Sequence, residues 1–334
     1  MQGGYAMTFA KPMKTALIAA LFATTAMGMA EARELRMGVI TPPSHVWTKV
    51  AERMAEKLPK ATGGELTLSV FPAGQLGSEQ EMFQQMSTGL LDAGLMTAAI
   101  TSLRAPSMQG WFTPYLFADV SAAIKAADTP AAGEMLKELD AAGLHGIGYT
   151  FAGMRHILMK DAPVTSPEEL KNKKIRIVPF PAMKTWWGAI GAVPTPVNLT
   201  EVYQALQTGL LDGIDIDLDA LVGNKYNEVA KGLTITNHMP FPSVMMVSTM
   251  TWDSLPPEEQ TAFTQVAEEA LAWGSAQQIE AEKANLATLE AQITVKTLDN
   301  GKEAFAAAND AVQASFAAYP LIAQFQQEVA EQAK

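Results

Sequence analysis

An internal repeat constrains the fold of this chain more than any other feature of its sequence. The run Thr-Gly-Leu-Leu-Asp at residues 88–92 recurs without change at 208–212. Each copy ends a stretch with helical spacing of apolar residues and leads into a short strand-like run, at 93–96 and at 213–216. The glycine suits a left-handed helix end, and the leucine pair suits burial beneath it.

A second match lies upstream of each copy. Phe-Pro-Ala follows a strand-like run at 71–73 and again at 180–182. Two matching signatures in the same order predict two similarly built α/β domains. Strand and helix alternate at short intervals near the start, where Ser78 and Glu81 form a capping-box pattern for a helix over 79–87. This alternation predicts a parallel α/β layer.

A long helix is predicted from Pro256 onwards. Pro-Pro-Glu-Glu begins it, and Ala, Glu, Gln and Leu dominate through Gln292 without a further proline. At about 1.5 Å per residue such a helix is roughly 50 Å long, more than the width of one domain. It can therefore lie across both domains.

The N-terminus has the pattern of a secretory signal. Lys11 and Lys14 precede an apolar run at 15–23, and Ala-Glu-Ala at 30–32 is a small-residue cleavage site. An uncleaved membrane anchor is the alternative. Cleavage after residue 32 removes two lysines and Glu31, so the net charge of −11 becomes −12.

Composition narrows the function classes. The acidic chain is a poor candidate for nucleic acid or anionic membrane surfaces. The chain has no cysteine, so an exported protein of this sequence has to be stabilised by its hydrophobic cores and not by disulfides. A length of 334 residues with 48% hydrophobic content is sufficient for such cores. No second run of about twenty apolar residues follows the N-terminal one, so we expect a soluble mature protein.

Arg176 stands inside a short β-branched run, 175–178, that predicts a buried strand. A guanidinium is costly there unless a partner neutralises it, and its two-pronged donor geometry suits a carboxylate. Two interpretations are open. Arg176 holds the carboxylate of a ligand, or it pairs with a structural Asp or Glu of the chain.

The sequence offers no signature of catalysis or metal binding. It contains no G-x-S-x-G, Walker A or H-E-x-x-H motif. Asp215, Asp217 and Asp219 alternate as in a calcium loop, but Ala220 and Tyr226 stand where glycine and glutamate belong. On a strand these carboxylates would share one face and repel unless solvated or opposed by a cation. We expect no catalytic residue, metal or cofactor.

A series of motifs runs through the chain after residue 32. They are Phe-Pro-Ala-Gly-Gln-Leu-Gly at 71–77, Gly-Met-Arg at 153–155, Leu-Lys-x-x-Lys-Ile-Arg at 170–176, Gly-Ala-Val-Pro-Thr-Pro at 191–196, Glu-Val-Tyr-x-Ala-Leu-Gln-Thr-Gly-x-x-Asp-Gly at 201–213, and Thr-Asn-His at 236–238. Together and in this order they resemble the extracytoplasmic solute-binding proteins of tripartite ATP-independent periplasmic (TRAP) transporters, of the dicarboxylate-binding, DctP-like type.

The resemblance implies two α/β domains of the periplasmic binding protein type, type II-like, joined by a hinge and crossed by the long helix. The ligand is then expected in the cleft between them. After a signal peptide at 1–32, we expect 33–152 with 242–281 to form the first domain and 153–241 with 282–334 to form the second.

The resemblance also implies site residues. Arg176 is expected to pair with the ligand carboxylate while Arg155 assists, and Thr97, Asp215 and Ile216 complete the candidate substrate-binding set. Many similar proteins carry Gln-Glu-Asn-Pro after the Asp-Gly pair, and the asparagine touches the ligand. Here Ile-Asp-Ile-Asp follows, so the amide is missing at Ile216. We therefore expect a ligand other than the sugar acids which that amide serves.

The acidic residues of this run leave two interpretations. Asp215 or Asp217 meets an amine or hydroxyl of the ligand, or Asp215 points away and caps the following segment. The function implied is a monomeric periplasmic protein that captures a small organic acid and delivers it to the small and large membrane subunits of a permease, with no nucleic-acid partner. The alternative is an exported two-domain α/β enzyme acting on a small organic acid, which unlike a binding protein would not return the acid unchanged.

Overall fold

The fold comes from a computed structural model that describes residues 1–5 and 32–333. The predicted signal segment lies almost entirely outside the described residues. The strands are β1 (Arg33–Val39), β2 (Leu66–Phe71), β3 (Ala93–Thr97), β4 (Leu144–Met154), β5 (His156–Met159), β6 (Lys174–Ile177), β7 (Val193–Pro196), β8 (Gly213–Ile216), β9 (Gly232–Ile235), β10 (Pro240–Ser248) and β11 (Thr294–Thr297).

Helices cover both sheets. The α-helices are α1 (Val46–Ala61), α2 (Glu79–Ser87), α3 (Ala98–Thr101), α4 (Val120–Ala126), α5 (Pro130–Lys137), α6 (Pro181–Ile190), α7 (Val202–Thr208), α8 (Leu218–Gly223), α9 (Thr249–Ser254), α10 (Pro257–Glu290), α11 (Gly301–Ala304), α12 (Ala306–Ser315) and α13 (Pro320–Gln332). Short 3-10 helices lie at Pro106–Phe112, Glu138–Ala142, Pro167–Leu170, Leu199–Glu201 and Tyr226–Glu228.

Two sheets form the centres of two α/β domains, as predicted. The first has the order β2-β1-β3-β10-β4 and the second the order β11-β9-β5-β8-β6-β7. The predicted parallel layer is present, because β1 pairs in parallel with β2 and β3. Both sheets are nevertheless mixed, since β10 runs antiparallel to its neighbours in the first sheet and β5 in the second. The antiparallel strands were not predicted.

The Thr-Gly-Leu-Leu-Asp repeat builds the same structure twice, joining α2 to β3 and α7 to β8. Both glycines are left-handed, with φ of 75° and 76°. The Asp92 carboxylate accepts a hydrogen bond from the backbone N–H of Arg36 on β1 at 2.9 Å. Asp212 accepts one in the same way from Lys174 on β6 at 2.7 Å. The repeat therefore marks equivalent places in the two domains.

Two details of the repetition differ from the prediction. Only the second leucine of each copy is buried, whereas Leu90 is 71% exposed and Leu210 is 55% exposed, because each stands in the turn after the helix end. The Phe-Pro-Ala matches are not equivalent either. Phe71 ends β2, an edge strand, whereas Phe180 follows β6, which lies inside the second sheet. The capping box of α2 is present as predicted.

The predicted long helix is α10, whose 34 residues correspond to roughly 50 Å. In the first half of α10, Glu269 forms an ion pair with Lys57 of α1, with 2.5 Å between Nζ and Oε2. Further along, Gln278 donates to the backbone oxygen of Ala152 at 2.9 Å. The helix ends against α8 of the second domain. It therefore spans both domains.

The last helix departs from the predicted domain boundary, which assigned 282–334 to the second domain. The carboxylate of Glu328 on α13 accepts a hydrogen bond from the backbone N–H of Ala131 on α5 at 2.8 Å. The Phe325 ring lies 4.6 Å from that of Trp111. The apolar face of α13 is therefore buried against the first domain. Within the described part of the chain, no helix has both the length and the apolar character needed to cross a membrane.

Candidate functional site

A cavity of about 60 Å³ lies between the two domains. Thr97 at the end of β3, Arg176 on β6 and Ile216 at the end of β8 line it, together with Glu79 at the start of α2. Open α/β sheets bind ligands outside the carboxyl ends of their strands, because loops and helix starts converge there. The position of the cavity is that of a ligand site.

The guanidinium of Arg176 lies at this cavity with most of its N–H donors unpaired among the described residues. Its side chain is only 4% exposed, and Nε donates to the backbone oxygen of Val197 at 2.9 Å. Among the described residues, its two terminal nitrogens have no hydrogen-bond partner and no carboxylate within ion-pair distance. Burial lowers the pKa of Arg176 to about 10, which leaves the side chain charged at neutral pH. The structure thus provides a two-pronged donor suited to a carboxylate.

Arg155 lines the same cavity, but three of its five N–H donors are bonded within the protein. It lies between β4 and β5 and is 1% exposed. Nε donates to Oδ1 of Asp215 at 2.5 Å, Nη1 donates to Oδ2 of Asp217 at 3.1 Å, and Nη2 donates to the backbone oxygen of Asp215. Its guanidinium also stacks on the Phe241 ring, 4.1 Å from the centroid. The two arginines therefore differ in their free donors: both terminal nitrogens of Arg176 lack a partner among the described residues, whereas each nitrogen of Arg155 donates to the protein.

Asp215 is fully buried and is not among the residues that line the cavity. Its Oδ2 accepts hydrogen bonds from Trp187 at 2.8 Å and from the His238 ring at 3.0 Å, while Oδ1 faces Arg155. Burial by itself raises the pKa of Asp215, but Arg155 and His238 outweigh it and hold that pKa below its usual value. The predicted contact of Asp215 with a ligand has no support in this arrangement.

Asp217 and Asp219 do not continue the strand. β8 ends at Ile216, and the Asp217 carboxylate caps α8 by accepting from the backbone N–H of Ala220 at 2.7 Å. Asp219 accepts from the backbone N–H of Val46 in the other domain at 2.8 Å. The three aspartates are therefore buried and hydrogen-bonded, two of them opposed by Arg155, and solvent does not separate them.

Thr97 lines the cavity with its hydroxyl engaged. Oγ1 donates to the Glu79 carboxylate at 2.9 Å and accepts from the backbone N–H of Ile100 at 3.1 Å, which caps α3. The backbone N–H of Thr97 also donates to Glu79. Thr97 therefore holds Glu79 in place and leaves no free proton for a ligand.

The structure thus brings Arg176, Arg155, Thr97 and Ile216 to one cavity and leaves Asp215 behind its wall. Sequence reasoning missed Glu79, although it follows the capping Ser78 whose pattern had been recognised. It also missed the ring of Phe241, because the bare sequence gives no sign that β10 would pass beneath the site.

Comparisons with known proteins agree with this architecture. A family model described as bacterial extracellular solute-binding protein, family 7, matches residues 37–319. The 2,3-diketo-L-gulonate-binding periplasmic protein YiaO of Escherichia coli K12 is 30% identical over 251 residues, which cover 75% of this chain and 76% of that protein. The C4-dicarboxylate-binding periplasmic protein DctP of Rhodobacter capsulatus is 28% identical over 255 residues, with coverage of 74% and 76%.

A solved structure has the same fold. A TRAP periplasmic solute-binding protein from Bradyrhizobium sp. BTAi1, in complex with galacturonate, superimposes with a TM-score of 0.84 at 30% identity. The match covers 89% of this chain and 99% of that one.

Proposed function

Because this chain belongs to family 7 of the bacterial extracellular solute-binding proteins, we propose that it captures a small organic acid through its carboxylate in the cavity between the two domains. The protein is a TRAP transporter solute-binding protein and not an enzyme; the alternative of an exported enzyme finds no support among its relatives. The family is periplasmic. The proposal extends to export by the N-terminal signal, to a monomer, and to delivery to the small and large permease subunits.

The observation that carries the proposal is the buried Arg176 guanidinium, whose terminal nitrogens meet no protein acceptor among the described residues. A buried charge without a partner is costly, so an arrangement that keeps one at a cavity favours an anionic ligand. Arg155 does not compete for that role, because Asp215 and Asp217 already neutralise it. Arg155 instead closes one side of the cavity with its plane held against Phe241.

The first experiment identifies the acid. Native mass spectrometry of the purified protein detects a co-purified ligand, and a thermal-shift panel of small organic acids covers the case in which none remains bound. Incubation with the acid that binds should return it unchanged. An acid that is chemically converted would contradict the assignment as a binding protein.

The second experiment tests the role of Arg176. Arg176→Lys keeps the charge but loses the two parallel hydrogen bonds, and a charge-assisted hydrogen bond is worth about 1.5–3 kcal/mol. Calorimetry should therefore show binding weakened by at least about tenfold. The control is Arg104→Lys, because Arg104 is exposed and lies outside the cavity. Equal affinity of Arg176→Lys and the parent would remove Arg176 from the site.

A further inference from the structure

The wall of the cavity is predominantly apolar. Its large side chains come from both domains and share an aliphatic or aromatic character; they are Ile40, Trp47, Ile100, Val178, Ile216 and Phe241. Such a wall binds the body of a ligand through burial of apolar surface. Polar groups interrupt this wall, because Gln80 and Asn198 also line the cavity and Nε1 of Trp47 has no hydrogen-bond partner among the described residues.

The polar groups nearest to the two arginines are bonded to protein. Thr97 is engaged with Glu79 and Ile100, and Arg155 with Asp215 and Asp217. The Nε2 atom of His45 has no hydrogen-bond partner among the described residues, but it is turned towards Asp219, 3.7 Å from Oδ2. Arg176 therefore remains as the anchor for one carboxylate.

Glu79 is the unusual member of the wall. It belongs to the first domain and lines the cavity together with Arg176 of the second domain. Both of its oxygens accept hydrogen bonds from Thr97, which fixes the carboxyl group in place. Among the described residues no cation lies within ion-pair distance of it. If Arg176 holds one carboxylate of a ligand, a second anionic group on that ligand would therefore face the carboxyl group of Glu79.

We infer that Glu79 is a charge filter that restricts the cavity to monocarboxylates. The inference rests on the proposed function, since it presumes that Arg176 holds the carboxylate of a ligand. One carboxylate is attracted by Arg176, whereas a second carboxylate would be repelled by Glu79 and would lack a cation of its own. The small volume, about 60 Å³, suits a short acid, because one water molecule already requires about 10–15 Å³.

The filter should depend on pH. Burial raises the pKa of Glu79 to about 7, against the lowering effect of the Thr97 hydrogen bonds and of Arg176. The carboxyl group is therefore partly protonated at neutral pH and gains charge as the pH rises. The other charged or titratable groups that line the cavity are Arg176, Arg155, Asp217 and His45. Comparison of the parent with a variant at Glu79 separates its contribution from theirs.

The test uses calorimetric titration with butyrate, succinate and D-erythronate, which have equal carbon number. Butyrate is an apolar monocarboxylate, succinate adds a second carboxylate, and D-erythronate adds hydroxyl groups. We expect the parent to bind butyrate and D-erythronate, each of which carries one carboxylate, more tightly than succinate. Its preference for butyrate over succinate should grow from about pH 6.5 to about pH 8.5, as Glu79 ionises.

Glu79→Gln removes the charge and preserves the shape of the side chain. We expect its affinity for succinate to rise at least about tenfold while that for butyrate changes less. Its preference should no longer vary with pH. Glu52→Gln is the matched control, because Glu52 is exposed on α1 and its loss changes the net charge equally. The pH series needs only the parent protein, so it remains decisive if Glu79→Gln is unstable.

Contrary outcomes are distinct. Tighter binding of succinate than of butyrate or D-erythronate by the parent overturns the filter while leaving a carboxylate-binding protein. An unchanged succinate affinity in a folded Glu79→Gln variant overturns it as well, and so does failure of the parent to bind any of the three acids. The proposed function fails separately, when no acid of the wider panel binds.

Discussion

Arg155 and Arg176 are both buried at the same cavity, yet they differ in their partners. Arg155 has two aspartates and an aromatic ring, whereas the end of Arg176 meets no protein acceptor among the described residues. Three of the five N–H donors of Arg155 are bonded within the protein, whereas Arg176 uses only Nε. The terminal donors of Arg176 are therefore better placed than those of Arg155 to meet a carboxylate.

A prediction at this scale concerns Asp215→Asn. Because Asp215 neutralises Arg155 and accepts from Trp187 and His238, its loss leaves a buried cation short of one partner. We expect the free energy of unfolding to fall by about 3–5 kcal/mol, as when one partner of a buried ion pair is removed. Urea unfolding measures the change, with Asp161→Asn, at an exposed aspartate, as the control.

The same variant tests whether Asp215 selects the ligand. If its role is to position Arg155, the affinities for a plain acid and for its amino or hydroxy analogue should change by the same factor. A lost preference for the substituted acid, in a protein of unchanged stability, would instead put Asp215 in contact with the ligand.

At the scale of elements, one of the connections between the two sheets contains a glycine with a left-handed backbone. Gly153 lies near the end of β4 with φ of 108°, and a Cβ there would lie 2.5 Å from Oε1 of Glu282 on α10. That oxygen accepts a hydrogen bond from the backbone N–H of Met154 at 2.7 Å. Helix α10 is thus hydrogen-bonded to the backbone at the point where the chain passes from β4 to β5.

We therefore predict that Gly153→Ala is destabilising. The left-handed backbone is unfavourable for alanine, and Glu282 has to move and lose its bond, so the unfolding free energy should fall by at least about 1–3 kcal/mol. Gly188→Ala is the matched control, because Gly188 lies within α6 and a Cβ there meets no atom within 4 Å. Urea unfolding measures the free energy of unfolding of both variants. Equal stability of Gly153→Ala and Gly188→Ala would show that the junction tolerates a side chain.

At the scale of the molecule, four segments of the described chain cross between the domains: the passage from β4 to β5, the passage from β9 to β10, α10, and the passage from α12 to α13. The cavity takes Arg176 from one domain and Glu79 from the other. A ligand held there contacts both domains, so it favours whichever arrangement brings them together. Periplasmic binding proteins are established examples of such hinge closure.

Small-angle X-ray scattering should therefore give a smaller radius of gyration when the acid is present at saturation. Arg176→Lys, measured with the same acid at a concentration that saturates only the parent, should keep the value of the ligand-free protein. Identical profiles for the parent with and without the acid, once calorimetry has confirmed occupancy, would contradict closure.

Local patterns in the sequence were enough for the local structure. The repeat at 88–92 and 208–212, the capping box at Ser78 and the β-branched run around Arg176 each involve neighbours in the chain. Each formed the predicted local structure, except that the first leucine of each repeat copy is exposed. The length of α10 followed from composition alone, because helix propensity is a property of the residues within the segment itself. The repeat also predicted two similarly built α/β domains, which the folded chain has, and the family motifs added the expectation of a ligand cleft between them.

Only the tertiary structure decided which partners the charged residues have. Asp215 is 60 positions from Arg155 in the sequence, and the alternation around Asp215 looked the same whether it faced a ligand, solvent or a cation. Glu79 and Arg176 reach one cavity because α2 and β6, from different domains, meet at it. Hydrophobic period and helix capping act over a few residues, whereas ion pairs and cavity walls depend on how distant elements pack.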